Sequence, residues 1–202
     1  MSPKLLSPKH IHIIYAHPSR DSFTYQIRES FCAGLQAAGH TWSVSDLYAM
    51  DFLAELTPDE YAREAAYATD RPLAADVITE HEKLSQADVW VFIYPVWWTD
   101  CPAKMKGWFD RVWTVGFAYQ PQTVTPAQEA LFICAAGHTV EQLRKSGCYQ
   151  AMETVMLVDR ICDRAAQKRF VCLGGSEATS GAQWQVLKSQ HLDVAYQLGA
   201  SL

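Results

Sequence analysis

The chain has 202 residues, of which 49% are hydrophobic and 19% are charged, and this balance predicts one globular domain over residues 1–202 with a substantial core. The formal net charge of −5 and the lack of clustered lysines and arginines argue against a nucleic-acid-binding surface. The start of the chain lacks the apolar stretch and cleavage site of a signal peptide, and the longest apolar run is too short to cross a bilayer, so we expect a cytoplasmic protein without membrane insertion.

Short apolar runs alternate with segments of helical period, which predicts strand–helix–strand units around a parallel sheet. We expect residues 1–9 to form a flexible N-terminal extension. The first strand is predicted over residues 10–15 and the first helix over residues 23–38, with Asp21 or Ser22 as its N-cap. A short second strand is expected near residues 42–45.

The middle of the chain contains the clearest strand. Residues 56–87 are polar and rich in helical pattern, with Thr57 as the expected N-cap. Residues 89–94 are contiguously apolar, which is typical of a parallel strand that is covered on both faces. A helix is predicted over residues 103–113.

The last third of the chain predicts two more strands and the closing helix. The strands are expected at residues 131–135 and 170–173, with a mostly helical segment at 139–163 between them and an amphipathic helix at 182–198. Together these elements predict an open, doubly wound sheet of five parallel strands. Ligands bind such a sheet outside the carboxyl ends of the strands, so the loops after the first, third and fourth strands are candidate sites.

The first of these loops contains no glycine, so it is neither a GxGxxG nor a Walker A loop. His17, Ser19, Arg20, Ser22 and Thr24 gather where the first helix begins, and the free N–H groups of a helix N-terminus favour a phosphate. The alternative is that the cap residue only caps the helix and that His17 is a surface residue.

The second candidate loop places two adjacent indoles after the third strand. Pro95 should end the strand, and Val96, Trp97, Trp98 and Thr99 should then cross the edge of the sheet. Backbone groups could bind the edge of a flat heteroaromatic ligand while an indole covers one of its faces. The alternative is that both tryptophans pack as core, and we expect at least one of them to be partly buried.

The third candidate loop is AAGHT, residues 135–139. Ala135, Ala136 and Gly137 would let the backbone approach a ligand closely, and His138 could donate a hydrogen bond or hold a proton near neutral pH. The alternative is an ordinary helix entry with Thr139 as its N-cap.

Three stretches taken together resemble a known family. AHPSRDSFTYQIRESFCAGLQAAGH, SDLYAMDF and YPVWWTDCPAKMKGWFDRVWTVGFAY are similar to the NAD(P)H:quinone oxidoreductases of the flavodoxin-like fold, which include mammalian DT-diaphorase and bacterial potassium-efflux ancillary flavoproteins. The resemblance covers roughly residues 11–137. It implies a flavodoxin-like sheet of strand order 2-1-3-4-5 with helices on both faces.

The resemblance also implies roles for residues that match the family pattern. His17, Ser22, Phe23 and Thr24 would hold the flavin phosphate and ribityl end; Pro95, Val96, Trp97, Trp98 and Thr99 would border the ring; and Ala135, Ala136, Gly137 and His138 would lie at its pyrimidine edge. His138 and Tyr149 are the nearest candidates for catalytic residues. The chain departs from the family where relatives carry Asn in place of Thr24, Thr-Thr-Gly-Gly at positions 135–138, and glycine and a small or apolar residue in place of Asp100 and Cys101.

The activity that the resemblance implies is flavin-dependent reduction of a quinone. A hydride would pass from NAD(P)H through flavin N5 to a quinone, or to a nitro or azo aromatic, by a ping-pong route that needs no metal. FMN is the expected flavin because no adenine-binding segment is obvious, with FAD as the alternative. Two other classes of function stay open: a flavin-binding, redox-sensing subunit of a transporter, and an α/β interaction domain without a cofactor.

Family members are homodimers, and the helix after the third strand suggests the same for this chain. Lys106 and Asp110 are spaced as an i,i+4 ion pair, whereas Trp108 and Phe109 offer more aromatic area than one amphipathic face requires. Excess apolar surface beside a site often marks an interface, so we expect these aromatic residues to lie near one.

Overall fold

The computed structural model describes residues 7–202, and most of the predicted N-terminal extension, residues 1–6, lies outside the described residues. Five parallel strands form one sheet in the order β2-β1-β3-β4-β5, which confirms the predicted fold class and strand order. The strands are β1 His10–Tyr15, β2 Thr41–Asp46, β3 Val89–Pro95, β4 Ala127–Ala136 and β5 Ala165–Gly174.

Helices connect the strands and begin where the sequence offers caps. They are α1 Phe23–Ala37, α2 Pro58–Ala65, α3 Ala75–Gln86, α4 Ala103–Val112, α5 Val140–Ser146, α6 Cys148–Thr154 and α7 Gly181–Ala200, with a π-helical segment at Val155–Ile161. The side chains of Ser22, Thr57 and Thr139 each accept a backbone N–H in the first turn that follows, so Ser22 rather than Asp21 caps α1. Within residues 7–202, no helix combines the length and the apolar character that crossing a bilayer requires.

The core has two layers, one on each face of the sheet. On one face, α1 and α7 cover alternate residues of the central strands, among them Ile13, Val91 and Ile133. On the other face, α3 and α4 cover the intervening residues, including Phe92 and Phe132, whose rings stack at 4.5 Å. Because both faces are covered, β3 is buried along its whole length, and its contiguous apolar run is explained.

Two expectations from the sequence need correction. β4 and β5 are longer than predicted, because their first halves carry polar residues such as Glu129, which pairs with Arg169 across the two strands. Trp108 and Phe109 do not form excess apolar surface, since both rings are buried in the chain's own core. The Trp108 indole donates to the buried Glu80, whereas the predicted Lys106–Asp110 ion pair is present on the exposed face of α4.

Candidate active site

The loops after β1, β3 and β4 meet at the carboxyl edge of the sheet, as predicted. The β3–α4 and β4–α5 loops line a cleft of about 370 Å³ between them. Its walls are formed by Val96, Trp97, Trp98, Thr99, Ala136, Gly137, His138, Leu143 and Glu177. Seven of these nine residues were candidates from the sequence.

The β3–α4 loop folds into a tight turn. The Trp97 N–H donates to the Asp100 carbonyl at 2.9 Å, and the Asp100 N–H donates back to the Trp97 carbonyl at 3.2 Å. Trp98 and Thr99, between them, both have positive φ, of 52° and 61°. Two consecutive left-handed residues closed by a reciprocal pair of hydrogen bonds form a type I′ turn, which normally carries Asn and Gly rather than Trp and Thr.

The turn presents both indoles at the cleft instead of packing them into the core. Trp98 is fully exposed and Trp97 is 42% exposed, so the alternative of two core tryptophans is wrong. Trp97 is the partly buried member of the pair, and its ring lies 6.1 Å from the ring of His17. This contact joins the β1–α1 loop to the rim of the cleft.

In the β1–α1 loop, the His17 ring is held by the backbone of Ser19. Its Nδ1 lies 3.0 Å from the Ser19 N and 3.1 Å from the Ser19 carbonyl oxygen, so Nδ1 is engaged by the loop and Nε2 is left for a ligand. Burial lowers the pKa of His17, although the contact with the Ser19 backbone opposes the shift. The neutral form of the ring is therefore favoured at neutral pH.

The first turn of α1 offers backbone donors. Ser22 accepts the Tyr25 N–H at 3.0 Å, whereas the N–H groups of Phe23 and Thr24 have no hydrogen-bond partner within residues 7–202. The Thr24 side chain is buried, and the Phe23 ring packs edge-on against Trp184 of α7 at 5.0 Å. Free N–H groups at the start of a long helix favour an anion.

The β4–α5 loop is fixed by the loop that follows β5. The Ala136 carbonyl accepts the N–H groups of Gly175 and Ser176, and the Gly137 carbonyl accepts the Glu177 N–H at 3.0 Å. Pro95 and Ala135, which directly precede the cleft residues, pair with each other in the sheet. The floor of the cleft is thus a continuation of two central strands rather than a free loop.

Two lining residues were missed by the sequence reasoning. Leu143 faces the cleft from the first turn of α5, and Glu177 lies so close to Gly137 that a Cβ there would be 2.6 Å from the Glu177 carboxyl carbon. The loop after β5 follows the same rule as the other strand ends, and its paired glycines, Gly174 and Gly175, were the available signal. A larger residue at position 137 would require the Glu177 carboxylate to shift from its present position in the cleft.

The two candidate catalytic residues occupy different surroundings. His138 lines the cleft and is exposed. Tyr149 is buried in α6, with Phe170 edge-on at 5.5 Å and the Arg144 guanidinium 4.6 Å from its ring centre, and it is not among the residues that line the cleft. Burial raises the pKa of Tyr149. His138 is therefore the better placed of the two.

Comparisons with known proteins agree with this geometry. A family model described as flavodoxin-like fold matches residues 9–160. Among solved structures, an NAD(P)H:quinone oxidoreductase from Methanothermobacter marburgensis superimposes with a TM-score of 0.90 at 42% sequence identity, over 96% of each chain.

Named relatives match part of the chain. NAD(P)H dehydrogenase (quinone) 1 from Cavia porcellus is 39% identical over 120 residues, which are 53% of this chain and 44% of the relative. Ribosyldihydronicotinamide dehydrogenase (quinone) from Pongo abelii is 32% identical over 160 residues, which are 70% of this chain and 69% of the relative. The chain thus spans about half the length of the first of these relatives and two thirds of the second.

Proposed function

The chain belongs to the flavodoxin-like fold family, and from that premise we propose that it is a flavin-dependent NAD(P)H:quinone oxidoreductase. The observation that carries the proposal is the cleft at the carboxyl edge of the sheet, where the Trp97–Asp100 turn presents two exposed indoles beside a backbone-lined floor. The names of the relatives support the same class of reaction.

The β1–α1 loop, which reaches the rim of the cleft through the contact between His17 and Trp97, fits the phosphate of a flavin. Within residues 7–202, the N–H groups of Phe23 and Thr24 have no partner at the start of a 15-residue helix, and the His17 imidazole adds a polar side chain from the neighbouring turn. Ser22 caps the helix and keeps these donors oriented. This set of donors is suited to an anion.

The residues that line the cleft itself fit a flat ring. Gly137 and the small side chain of Ala136 leave the backbone accessible, and the indoles of Trp97 and Trp98 supply aromatic surface. Glu177 adds a carboxylate acceptor for a ring N–H at this edge, and His138 adds an imidazole donor. The backbone and the side chains together can therefore orient the edge of a bound ring and cover one of its faces.

A bound flavin would supply hydride acceptance and donation, the chemistry that no side chain of the cleft can perform. The chain's own contribution is to bind and orient the ring, to exclude water with Trp97 and Leu143, and to hold a proton at His138 Nδ1 or Nε2. One open cleft that serves the nicotinamide and the acceptor in turn would give ping-pong kinetics. A quinone is the favoured acceptor, with nitro and azo aromatics as further flat electrophiles.

The first experiment is to identify the flavin. We expect the purified protein to bind one flavin per chain with absorbance near the ordinary flavin bands, and we expect mass measurement of the released cofactor to give FMN. A colourless protein that binds neither FMN nor FAD when they are added would overturn the proposal. A protein that binds flavin but does not oxidise NADH or NADPH with a quinone would favour the redox-sensing alternative instead.

A further inference from the structure

The Trp97–Asp100 turn holds two residues in a backbone conformation that neither prefers. Trp98 and Thr99 lie in the left-handed region, where a bulky or β-branched side chain crowds its own backbone. Such strain persists when the surroundings over-determine it. The two hydrogen bonds between Trp97 and Asp100 close the turn. Both lie within the turn, so they do not attach it to the rest of the fold.

The Asp100 side chain attaches the turn to the rest of the fold. Its Oδ1 accepts the Cys101 N–H at 2.7 Å, which ties the carboxylate to the backbone that follows the turn. Arg160 reaches both carboxylate oxygens, with Nη1 3.1 Å from Oδ1 and Nη2 3.2 Å from Oδ2. Two parallel contacts between a guanidinium and a carboxylate fix orientation as well as position.

Arg160 is itself held firmly by the core. Its side chain is 6% exposed, its guanidinium lies 5.0 Å from the centre of the Phe109 ring, and Nη1 also contacts Cys101 Sγ at 3.1 Å and Met156 Sδ at 3.2 Å. The Arg160 carbonyl accepts the Trp113 indole N–H at 2.6 Å. The arginine is therefore a rigid buried cation whose carboxylate partner belongs to the turn.

The charge state of Asp100 is consistent with this pairing. Burial alone would raise the pKa of Asp100, but the hydrogen bond from the Cys101 N–H and the Arg160 guanidinium outweigh that effect and lower it. The carboxylate is thus ionised throughout the neutral range, and the ion pair persists there.

We propose that Arg160 is a positioning residue for the ring-binding turn, acting through Asp100 from a π-helical segment sixty residues further along the chain. Arg160 does not line the cleft; it fixes the turn whose Trp97, Trp98 and Thr99 do. The consequence for flavin binding rests on the proposed function, whereas the effect on the turn itself does not. A turn that is pre-organised in this way binds a flat ligand with less loss of conformational entropy.

The test compares Arg160→Met and Asp100→Asn with the control Arg164→Met. Arg164 lies four residues further along, after the π-helical segment ends, and donates to the carbonyls of Ala118 and Ile161 and, at 3.5 Å, to that of Arg160. It is not among the residues that line the cleft, so its loss measures the cost of removing a guanidinium that has no contact with Asp100. We expect the amide exchange rates of Trp97 and Asp100 to rise by about tenfold or more in both test variants and to stay unchanged in the control. The flavin dissociation constant should rise by about tenfold in the same two variants.

Unchanged exchange at Trp97 and Asp100 in the test variants would overturn the proposal, as would equal losses of flavin affinity in the control. If Arg160→Met fails to fold, Asp100→Asn decides, because Asp100 is partly exposed and the Asn side chain can still accept the Cys101 N–H. Adding Arg160→Met to Asp100→Asn should have little further effect on exchange, since both act on one contact. A wild-type chain that binds no flavin would refute the proposed function, yet the exchange measurement would still decide the role of Arg160.

Discussion

At the scale of single residues, Trp98 has a large apolar side chain that does not pack into the core. Its indole is fully exposed, and its backbone sits at φ 52° without the glycine or asparagine that such a position favours. The sequence predicts a ring-binding loop here but not this conformation, because neither Trp98 nor Thr99 is a residue type that signals a left-handed turn. Exposure combined with backbone strain points to binding rather than to packing.

We therefore expect Trp98→Ala to separate binding from stability. Flavin should bind roughly two- to tenfold more weakly, because an aromatic contact of about 0.5–1.5 kcal/mol is lost. The free energy of unfolding should change by less than about 0.5 kcal/mol, since no buried contact is removed. Flavin titration and denaturant unfolding measure the two effects.

Tyr61→Ala is the matched control, because Tyr61 is also largely exposed but lies on α2 away from the cleft. It should leave flavin affinity unchanged. Wild-type affinity in Trp98→Ala would show that the exposed indole has no part in the site.

At the scale of elements, periodicity predicts every strand and every long helix, while the ends of β4 and β5 and the π-helical segment are not predictable in this way. β3 can be predicted from its apolar run because each of its residues is buried. The first halves of β4 and β5 lack such a run, since they contain polar residues such as the paired Glu129 and Arg169. No local pattern distinguishes Val155–Ile161 from an α-helix, and the contact that this segment makes between Arg160 and Asp100 joins residues far apart in the chain.

Close packing of α1 against α7 depends on glycine. A Cβ on Gly34 would lie 2.1 Å from the Tyr196 carbonyl oxygen, and one on Gly199 would lie 2.3 Å from the Phe31 carbonyl oxygen. These neighbours are backbone atoms and can move only if the helices separate. We expect Gly34→Ala to lower the free energy of unfolding by about 1–3 kcal/mol, although alanine is ordinarily the better helix former.

Thermal or denaturant unfolding measures this cost. Ala33→Ser is the control, since it adds one heavy atom at the adjacent, exposed position of the same helix. A more stable Gly34→Ala protein would mean that the two helices are not in such close contact.

A buried ionic cluster joins α3 to the sheet and to α4. The Glu80 carboxylate accepts from Ser45 and Lys83 at 2.7 Å each and from the Trp108 indole at 2.8 Å, and His12 lies 3.7 Å away. Burial acts to raise the pKa of Glu80, but the nearby His12 and the hydrogen bonds from Lys83, Trp108 and Ser45 outweigh it and lower the pKa to about 2. Burial lowers the pKa of His12, against the opposing effect of Glu80.

Both shifts predict a loss of stability in acid. Glu80 in the unfolded chain has its ordinary pKa of 4.5, so its contribution is complete above that pH and is lost as the pH falls towards about 2. The loss is on the order of 2–3 kcal/mol. The buried His12 adds a loss of the same sign below its ordinary pKa of 6.5, because only the unfolded chain takes up the proton readily.

Unfolding free energies measured from pH 6 to pH 2.5 test this account. In Glu80→Gln the fall below about pH 4.5 should be shallower than in the wild type, since one titrating group with a shifted pKa is gone. Glu82→Gln, an exposed position on the same helix, should retain the wild-type slope. Equal slopes in all three proteins would contradict the assignment.

At the scale of the whole molecule, the site could be predicted because it follows from topology. The carboxyl ends of β1, β3 and β4 must meet at one edge of a doubly wound sheet, and the candidate loops after them do so. Glu177 and Arg160 could not be assigned in this way. Their roles depend on contacts with Gly137 and Asp100 that no local pattern encodes.

We also propose that the protein is a homodimer. The buried Trp108 and Phe109 do not support this, but Trp98 and Val158 expose large apolar side chains that a second copy could cover. Size-exclusion chromatography with light scattering should give about twice the chain mass of 22.7 kDa. A mass near that of one chain would contradict the dimer without affecting the assignment of the cleft.

The most direct test of the central claim is a steady-state rate measurement with the flavin-loaded protein. NADH or NADPH oxidation is followed at several fixed concentrations of a simple benzoquinone or naphthoquinone. We predict quinone-dependent turnover with parallel double-reciprocal lines, because one cleft serves both substrates in turn. A flavin-loaded protein whose nicotinamide oxidation does not depend on quinone would contradict the proposed activity.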